Sequence, residues 1–333
     1  MTSRNHPGPT PSPRRQLLCL GAAALCAWSG LSHADTWPSQ PIKWVVAYPA
    51  GGGSDFLARQ IAPQLSKQLG QTVIIDNRPG AAGSIGTSLV AKSAPDGYTL
   101  LSGDNGAMVF NHAMYKKLPY AVNEFAPIGL MARFPLILTV NTNSGFNSAR
   151  QWLAEVKANP GKFSYASPGI GSPHHLAMEL IKERTQTFIV HVPYRGTAFA
   201  IQDLMGGVVP MAIIDSAAGL TQMRTGKLRP LAVLSSKRIA QLPDVPTFEE
   251  LGIKGLDVSA WQGLFVPKGT PEAITSRLSS EMLKALSMPE VKNRLEDFGL
   301  EVTPSDGPSL SRFVQQETQA WHALIKERRL SAE

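Results

Sequence analysis

The hydrophobic pattern alternates between short apolar runs and stretches with helical spacing. Runs rich in β-branched residues predict strands at 42–48, 72–76, 97–102, 127–132, 135–141, 163–167, 189–194, 208–214, 229–235 and 257–266. The stretches between them predict helices near 54–69, 84–93, 147–158, 173–185, 197–205 and 216–225. Alternation of this kind predicts parallel sheets covered by helices, an α/β fold. Three amphipathic helices are predicted to follow near 271–287, 289–297 and 307–328.

Two apolar, β-branched segments, 135–141 and 229–235, enclose an α/β block of about a hundred residues. If both segments are crossover strands, this block is a second lobe inserted into the first, and the C-terminal helices return to pack on the first. The predicted division is lobe I at 35–136 and 236–333, and lobe II at 137–235. A cleft crossed by two such strands can open and close as a hinge.

The first 34 residues have the organisation of an export signal. Arg14 and Arg15 precede an apolar region that runs to about residue 31, and the sequence SHA at 32–34 fits a cleavage site. The paired arginines fit a twin-arginine signal and an ordinary secretory signal equally well. We therefore expect a periplasmic protein that is cleaved after about Ala34.

The composition of the remaining chain excludes several kinds of site. Both cysteines lie in the predicted signal, so the mature chain would have no disulfide, no zinc-thiolate site and no cysteine nucleophile. It would carry 29 Lys/Arg against 25 Asp/Glu, a formal charge of +4. This mild bias suits small anions, whereas nucleic-acid binding calls for a basic stripe interleaved with aromatic residues, which the sequence lacks. No later apolar run has the length of a membrane span.

Two glycine-rich turns are the main candidates for a binding site. In 42–62, an apolar run is followed by three glycines and then by a helical pattern, and 167–173 repeats the arrangement with Ser172 as a helix cap before Pro173. Glycines let backbone N–H groups approach a ligand, and the first N–H groups of a helix carry partial positive charge. Two such turns facing each other across a cleft would suit both ends of a dicarboxylate. Tight turns that bind nothing would give the same pattern.

Six long segments occur in an order that is informative as a whole. They are IIDNRPGAAGSIGTSLVAKSAPDGYTLL at 74–101, KLPY and FAPIG within 117–130, GIGSPHHLAMEL at 169–180, HVPYRGTAFAIQDLMGG at 191–207, GKLRPLAVLSSKR at 226–238 and LPDVPTFEELGI at 242–253. Together they resemble the periplasmic binding proteins of the tripartite tricarboxylate transporter family, also called Bug receptors. The resemblance implies a two-lobed, type II Venus-flytrap fold, with a mainly parallel sheet covered by helices in each lobe. It also implies a small organic solute, usually a carboxylate, held between the lobes by the two glycine-rich turns.

The strand ends, the helix starts and this resemblance together define the candidate ligand-binding residues. They are Tyr48, Gly51, Gly52, Gly53, Ser54, Asp55, Ser102, Asp104, Asn105, Ser167, Gly169, Gly171, Ser172, His175, Tyr194, Arg195, Gly196, Thr197 and Asp215. Asp104 departs from the family, whose members tend to carry uncharged small polar residues at this position. Since a carboxylate repels an anionic ligand, Asp104 either selects an amine-bearing or neutral ligand or is a rim residue that caps the next turn. Arg195 would clamp a carboxylate if it turned inward, but an arginine beside a helix start is usually solvated.

Enzymatic interpretations find little support in the sequence. His174 and His175 are adjacent, so on a helix they point about 100° apart and present no joint metal face. The nucleophile elbow, the phosphate loop and the His-Glu-x-x-His motif are all missing. We therefore expect no catalysis, no cofactor and no metal. The predicted protein is a monomeric receptor that binds no nucleic acid and presents a small carboxylate or related metabolite to a membrane permease or a sensor protein. The alternative is an exported enzyme acting on a similar anion, for which Ser172 and His175 would be a poorly placed pair.

Overall fold

The computed structural model describes Thr2 and residues 37–332. The predicted export signal, its two cysteines and its cleavage site lie outside the described residues. The described residues from Gln40 onward belong to one compact unit, the second of two, which contains every feature discussed below. Within the described residues, none of the helices combines the length and the apolar character needed to cross a bilayer.

The described part of the second unit contains a sheet of nine strands. They are β1 (Ile42–Val46), β2 (Val73–Asn77), β3 (Thr99–Asp104), β4 (Phe125–Asn141), β5 (Ser164–Ser167), β6 (Val190–Pro193), β7 (Met211–Asp215), β8 (Leu228–Val233) and β9 (Ser259–Pro267). The order of neighbouring strands is β2-β1-β3-β9-β4-β7-β5-β6, and β8 pairs with β4. Strand β1 is parallel to β2 and β3, and β5 is parallel to β6 and β7. Strands β4, β8 and β9 supply the antiparallel pairs.

Helices connect the strands and cover the sheet. They are α1 (Gly53–Leu69), α2 (Ser84–Ala91), α3 (Asn111–Met114), α4 (Ala149–Ala158), α5 (Pro173–Thr185), α6 (Thr197–Met205), α7 (Ser216–Arg224), α8 (Glu272–Ser287), α9 (Pro289–Asp297) and α10 (Gly307–Glu327). Most of these bounds lie within a few residues of those that the hydrophobic pattern predicts. The prediction missed α3, the π-helical turn Gly106–Phe110 that precedes it, and two 3-10 turns at Ala81–Gly83 and Val122–Glu124. The apolar residues of the π-helical turn are buried, and Phe110 packs edge-on against Trp321 of α10 at 4.8 Å between ring centroids.

The strand β4 corrects the prediction of two separate strands at 127–132 and 135–141. It is continuous over 17 residues. It pairs with β9 as far as Pro135 and with β7 from Leu136 onward. The missing N–H group of Pro135 therefore falls where the strand changes partner, and this position tolerates proline inside a sheet.

This change of partner divides the sheet into two parts. We call β1, β2, β3, β9 and β4 up to Pro135 sheet region I, and β5 to β8 with β4 from Leu136 sheet region II. The segment after β8 packs with region II, because Ile239, Leu242 and Val245 belong to the same buried cluster as Ile137.

Candidate functional site

A narrow cavity lies between regions I and II, at the carboxyl ends of β3 and β7. Its lining consists of Tyr48, Pro49, Gly52, Gly53, Ser54, Asp104, Phe134, Pro168, Pro173, His174, Thr197, Asp215, Ala260, Trp261 and Gln262. The space open to the centre of a water molecule is about 40 Å³. This is room for about three ordered waters.

The glycine-rich turn after β1 forms one wall of the cavity through the start of α1. Gly52 is the N-cap residue of α1 and supplies no side-chain cap. The first N–H groups of a helix have no intrahelical partner, so those of Gly53 and Ser54 are the donors that this wall offers. Gly51 lies outside the cavity lining, and its N–H group donates to Asp55 Oδ2 at 3.0 Å.

Asp55 holds this turn together and does not line the cavity. Its carboxylate also accepts hydrogen bonds from Arg59 Nε at 2.9 Å and from Asn77 Nδ2 at 3.1 Å. Burial acts to raise the pKa of Asp55, but the hydrogen bonds from Arg59, Gly51 and Asn77 outweigh it and lower the pKa below its usual value. Asp55 is therefore ionised, and its hydrogen bonds stabilise the turn.

Asp104 is buried in the floor of the cavity, with an exposed fraction of 4%. Its Oδ2 accepts from the Tyr48 hydroxyl at 2.7 Å and its Oδ1 accepts from Ala107 N at 2.8 Å. Burial raises the pKa of Asp104 above its usual value, although the hydrogen bonds from Ala107 and Tyr48 act in the opposite direction. The pKa of Tyr48 is raised well above its usual value by burial and by the charge of Asp104. Asp104 thus caps the following turn and also lines the cavity.

Region II contributes a histidine and a carboxylate that contact each other. His174, near the start of α5, lies with Nε2 3.1 Å from Asp215 Oδ2. Asp215 ends β7, and its Oδ1 accepts from Ala218 N at 2.9 Å, which caps α7. Thr197, the first residue of α6, lines the same cavity.

His175 faces away from the cavity. Its Nδ1 accepts from Gly171 N at 3.2 Å, and its ring stacks on His191 with centroids 4.2 Å apart. Burial lowers the pKa of His175 to about 4. Ser172 caps α5 by accepting from His175 N at 3.3 Å. These residues shape the turn before α5 but do not line the cavity.

Three other predicted residues lie beside the strands without lining the cavity. The Ser102 hydroxyl accepts from Trp44 Nε1 at 2.9 Å, and the Ser167 hydroxyl lies 2.6 Å from His191 Nε2. Asn105 Nδ2 donates to the Ser259 carbonyl at 3.2 Å. These contacts satisfy the two serine hydroxyls, whereas Asn105 Oδ1 is buried without a hydrogen-bond partner among the described residues.

The remaining predicted residues of region II lie beside the cavity without lining it. Gly169, Tyr194 and Arg195 line a wider groove that shares Tyr48 and Pro49 with the cavity. The Tyr194 hydroxyl donates to Asp203 Oδ2 at 2.7 Å. Arg195 is exposed.

Glycines allow regions I and II to touch at three points. A Cβ atom at Gly53 would overlap the Asp215 carboxylate, and one at Gly196 would lie 2.7 Å from Pro49 Cγ. A Cβ atom at Gly106 would lie 3.1 Å from the Gly171 carbonyl oxygen. At Gly53 and at Gly196 the contact would be too short for a real side chain, so glycine is required at both positions for the two regions to approach this closely.

Comparison with known proteins identifies the family. The sequence model of the tripartite tricarboxylate transporter family receptor matches residues 57–330. The chain belongs to this receptor family. It is 38% identical over 321 residues to the UPF0065 protein in the tcbD-tcbE intergenic region of Pseudomonas sp. (strain P51), covering 96% of this chain and 95% of that protein.

Solved structures confirm the predicted fold of the receptor. The periplasmic binding protein BugD is 34% identical, with a TM-score of 0.85 over 89% of this chain and 99% of that one. An R. palustris protein solved with adipate is 32% identical, with a TM-score of 0.86 over 89% and 99%. MatC from Rhodopseudomonas palustris, solved with bound malate, is 31% identical, with a TM-score of 0.83 over 87% and 100%. The receptor is accordingly a two-lobed α/β solute-binding protein and not an enzyme.

Sequence reasoning missed many residues of this receptor that line the cavity. Phe134 of β4 and Trp261 and Gln262 of β9 line it, as do Pro49, Pro168, Pro173, His174 and Ala260. Gln262 is 3% exposed, and a polar residue inside the apolar strand SAWQGLFVP was a usable signal. Trp261 gave no such signal, since a buried tryptophan is ordinary in a core.

The described residues offer the receptor no metal site. No group of three His, Cys, Asp or Glu side chains among residues 37–332 is arranged to hold an ion.

Proposed function

We propose that this receptor takes up a small organic carboxylate by closing its two lobes around it, and that it then presents the solute to a membrane permease. The observation that carries this proposal is the meeting of the α1, α5 and α6 starts at one cavity between regions I and II. Relatives in the same family were solved with adipate and with malate, which supports a carboxylate.

The N–H groups of Gly53 and Ser54 would take the solute's carboxylate. Hydrogen bonds to an ionised acceptor are stronger than neutral ones, and exclusion of water strengthens them further. The Thr197 hydroxyl, on the opposite wall, can donate to the same group. A ligand shifts the receptor toward the closed arrangement only by the difference between its affinities for the two arrangements. Donors contributed from both walls supply that difference.

The cavity volume supports an opening motion. Space for about three waters is too small for an adipate-sized solute. The solute would therefore enter after regions I and II move apart, and the cavity would widen around it.

We place the hinge at Pro135–Leu136 in β4 and at a return crossing near Val258. Two backbone hydrogen bonds join the chain segments near this hinge. Leu234 N donates to the Leu136 carbonyl at 2.8 Å, and Val258 N donates to the Leu234 carbonyl at 3.0 Å. Because Ile239 packs in the cluster of region II, lobe II would extend from residue 137 to about 258. Lobe I would comprise 35–136 and the chain after 258. The sequence pattern alone put this second boundary at 235.

Export through a signal cleaved after about Ala34 would deliver the receptor to the periplasm, and family membership supports that location. We expect a monomer, since a cavity built from both lobes of one chain needs no second copy. N-terminal sequencing of the protein recovered from the periplasm tests the cleavage site. A mature N-terminus far from Asp35 would contradict it.

A thermal-shift screen tests the receptor function. Mono-, di- and tricarboxylates, amino acids and aromatic acids would be added one at a time to the purified mature protein. A ligand at a hundred times its dissociation constant adds about 2.7 kcal/mol to the free energy of unfolding, which raises the melting temperature visibly. If no member stabilises the protein, or if a candidate is chemically converted, the proposal is wrong.

A further inference from the structure

The cavity carries more negative charge than a site for a dicarboxylate should. Asp104 and Asp215 both line it, with exposed fractions of 4% and 3%. No Lys or Arg is found among the described residues of the lining. A second carboxylate on the solute would meet these acids in a site of low dielectric constant, where like charges repel strongly.

Two buried polar atoms of the lining have no hydrogen-bond partner among the described residues. Gln262 Nε2 donates to the Ser54 hydroxyl, and Gln262 Oε1 is left unpaired. His174 is 7% exposed and places Nε2 against Asp215, while its Nδ1 is unpaired. In neutral His174 with the proton on Nε2, where Asp215 accepts it, Nδ1 is an acceptor. Both unpaired atoms therefore call for a donor, and buried polar groups are normally satisfied.

Aromatic side chains form part of the same lining. They are Tyr48, Phe134 and Trp261. The faces of aromatic rings attract cations, and tryptophan does so most strongly. Trp261 is held in place by a hydrogen bond from its Nε1 to Glu317 Oε2 at 3.4 Å. Two acids, unpaired acceptors and aromatic rings all favour a positively charged group that carries N–H donors.

We propose that the solute is a small acid bearing a primary amino group, whose ammonium lies among Asp104, Asp215 and Gln262 while its carboxylate takes the α1 amides. This inference rests on the proposed receptor function and narrows its ligand class. An ammonium brings three donors, which matches the acceptors available. Pairing with a cation also removes the cost of leaving the Asp104 carboxylate buried and uncompensated.

Matched acids with and without an amino group test the inference. Isothermal titration of the mature receptor would compare butyrate with 4-aminobutyrate, propionate with β-alanine, and glutarate with glutamate. We expect the amino acid of at least one pair to bind at least tenfold more tightly than its partner. Equal or tighter binding of the unaminated acids throughout overturns this inference and leaves the receptor function standing. If neither series binds, the inference is also overturned, and the wider carboxylate screen decides the receptor function separately.

The N-trimethyl analogue of the best amino ligand separates charge from hydrogen bonding. It keeps the positive charge but has no N–H donors, so Gln262 Oε1 and His174 Nδ1 would stay unpaired. We expect it to bind at least tenfold less tightly than the primary amine. Equal affinity would overturn the assignment of these two acceptors.

The variant Asp104→Asn removes the charge and nearly preserves the shape. We expect the preference for the amino ligand to fall to less than twofold, while the melting temperature of the ligand-free protein is not lowered. The matched control is Asp306→Asn, which makes the same change at the exposed N-cap of α10. A variant that retains the tenfold preference would refute the role of Asp104, and the comparison of ligands on the unaltered receptor stands even if the variant does not fold.

Discussion

Replacing Gly53 with alanine tests whether contact between the two walls is needed for binding. The added Cβ atom would overlap Asp215 Oδ1 and lie 3.2 Å from Phe134 Cε1. Asp215 cannot easily move aside, because one of its oxygens caps α7 and the other contacts His174. Alanine keeps the backbone N–H group at residue 53, so the change is steric and does not remove the donor.

The expected loss of affinity follows from the cost of overpacking. Extra carbon atoms in a well-packed site cost about 1 to 3 kcal/mol. If opening of the lobes relieves the overlap, only the closed arrangement loses this energy, and the apparent affinity falls by about 5- to 150-fold. The open arrangement is unaffected, and alanine is at least as favourable as glycine in a helix. The free energy of unfolding should therefore stay within about 1 kcal/mol of the parent.

Titration calorimetry with the ligand found in the screen measures the loss, and small-angle scattering with that ligand reports how compact the protein becomes. The control is Gly206→Ala at the C-terminal end of α6, because Gly206 lies outside the cavity lining and a Cβ atom there would make only ordinary contacts, the nearest at 3.5 Å from the Gln202 carbonyl oxygen. Its affinity should stay within about twofold of the parent. If Gly53→Ala binds as tightly as the parent and compacts to the same extent, contact between the walls is not required, and the proposed closure is wrong.

Three further predictions concern the cavity and its supports. Ligand binding should change the intrinsic tryptophan fluorescence, and Trp261→Phe should remove most of that change; an unaltered signal would place the ligand elsewhere. Burial lowers the pKa of His175 to about 4, so the unfolded chain binds a proton that the folded one does not as pH falls from about 6.5 to 4. His175 should therefore lower the free energy of unfolding by about 3 kcal/mol over that range, and its stacking partner His191, whose pKa is lowered to about 3, should add a further fall. Urea titrations should show a smaller fall for His175→Gln but the parental one for His322→Gln, and identical slopes in all three would contradict this origin. Asp215→Ala loses the cap of α7 and should cost about 1 to 2 kcal/mol in the same assay, and a neutral effect would mean that the cap contributes little.

The sequence predicts that the glycine-rich turn after β1 and the start of α1 form one wall of the cavity. It does not predict which backbone N–H groups of this turn stay free to donate to a ligand. Three glycines after an apolar run predict a strand, a turn and a helix start, and α1 begins at Gly53 as expected. The carboxylate of Asp55 turns back to take the N–H group of Gly51. A sequence pattern does not distinguish this internal use of an acid from an acid that meets a ligand.

The rest of the cavity lining depends on contacts between distant parts of the chain. Gln262 donates to Ser54 across 208 positions, and no local pattern predicts such a pairing. Contacts between distant parts of the chain also decide whether His174 or His175 faces the cavity. Adjacent residues on a helix point about 100° apart, so only the packing of α5 against β7 decides which of the two histidines faces the cavity. Here His174 reaches Asp215 and His175 stacks on His191.

Asp104 and Asp215 occupy equivalent places in the two regions. Each ends a strand, and each accepts through Oδ1 from the N–H group three residues later, at Ala107 and Ala218. Serine, threonine or asparagine can form such a cap without a charge, so capping alone does not explain a buried carboxylate at either position. The remaining oxygen of each acid binds a neighbour in the cavity lining, Tyr48 for Asp104 and His174 for Asp215. A tyrosine hydroxyl brings no positive charge, so in the proposed assignment the counterpart of the Asp104 charge is the ammonium group of the solute. Asparagine at residue 104 would keep a side-chain oxygen for the cap while removing the negative charge, so this variant tests whether the acid determines the charge of the ligand.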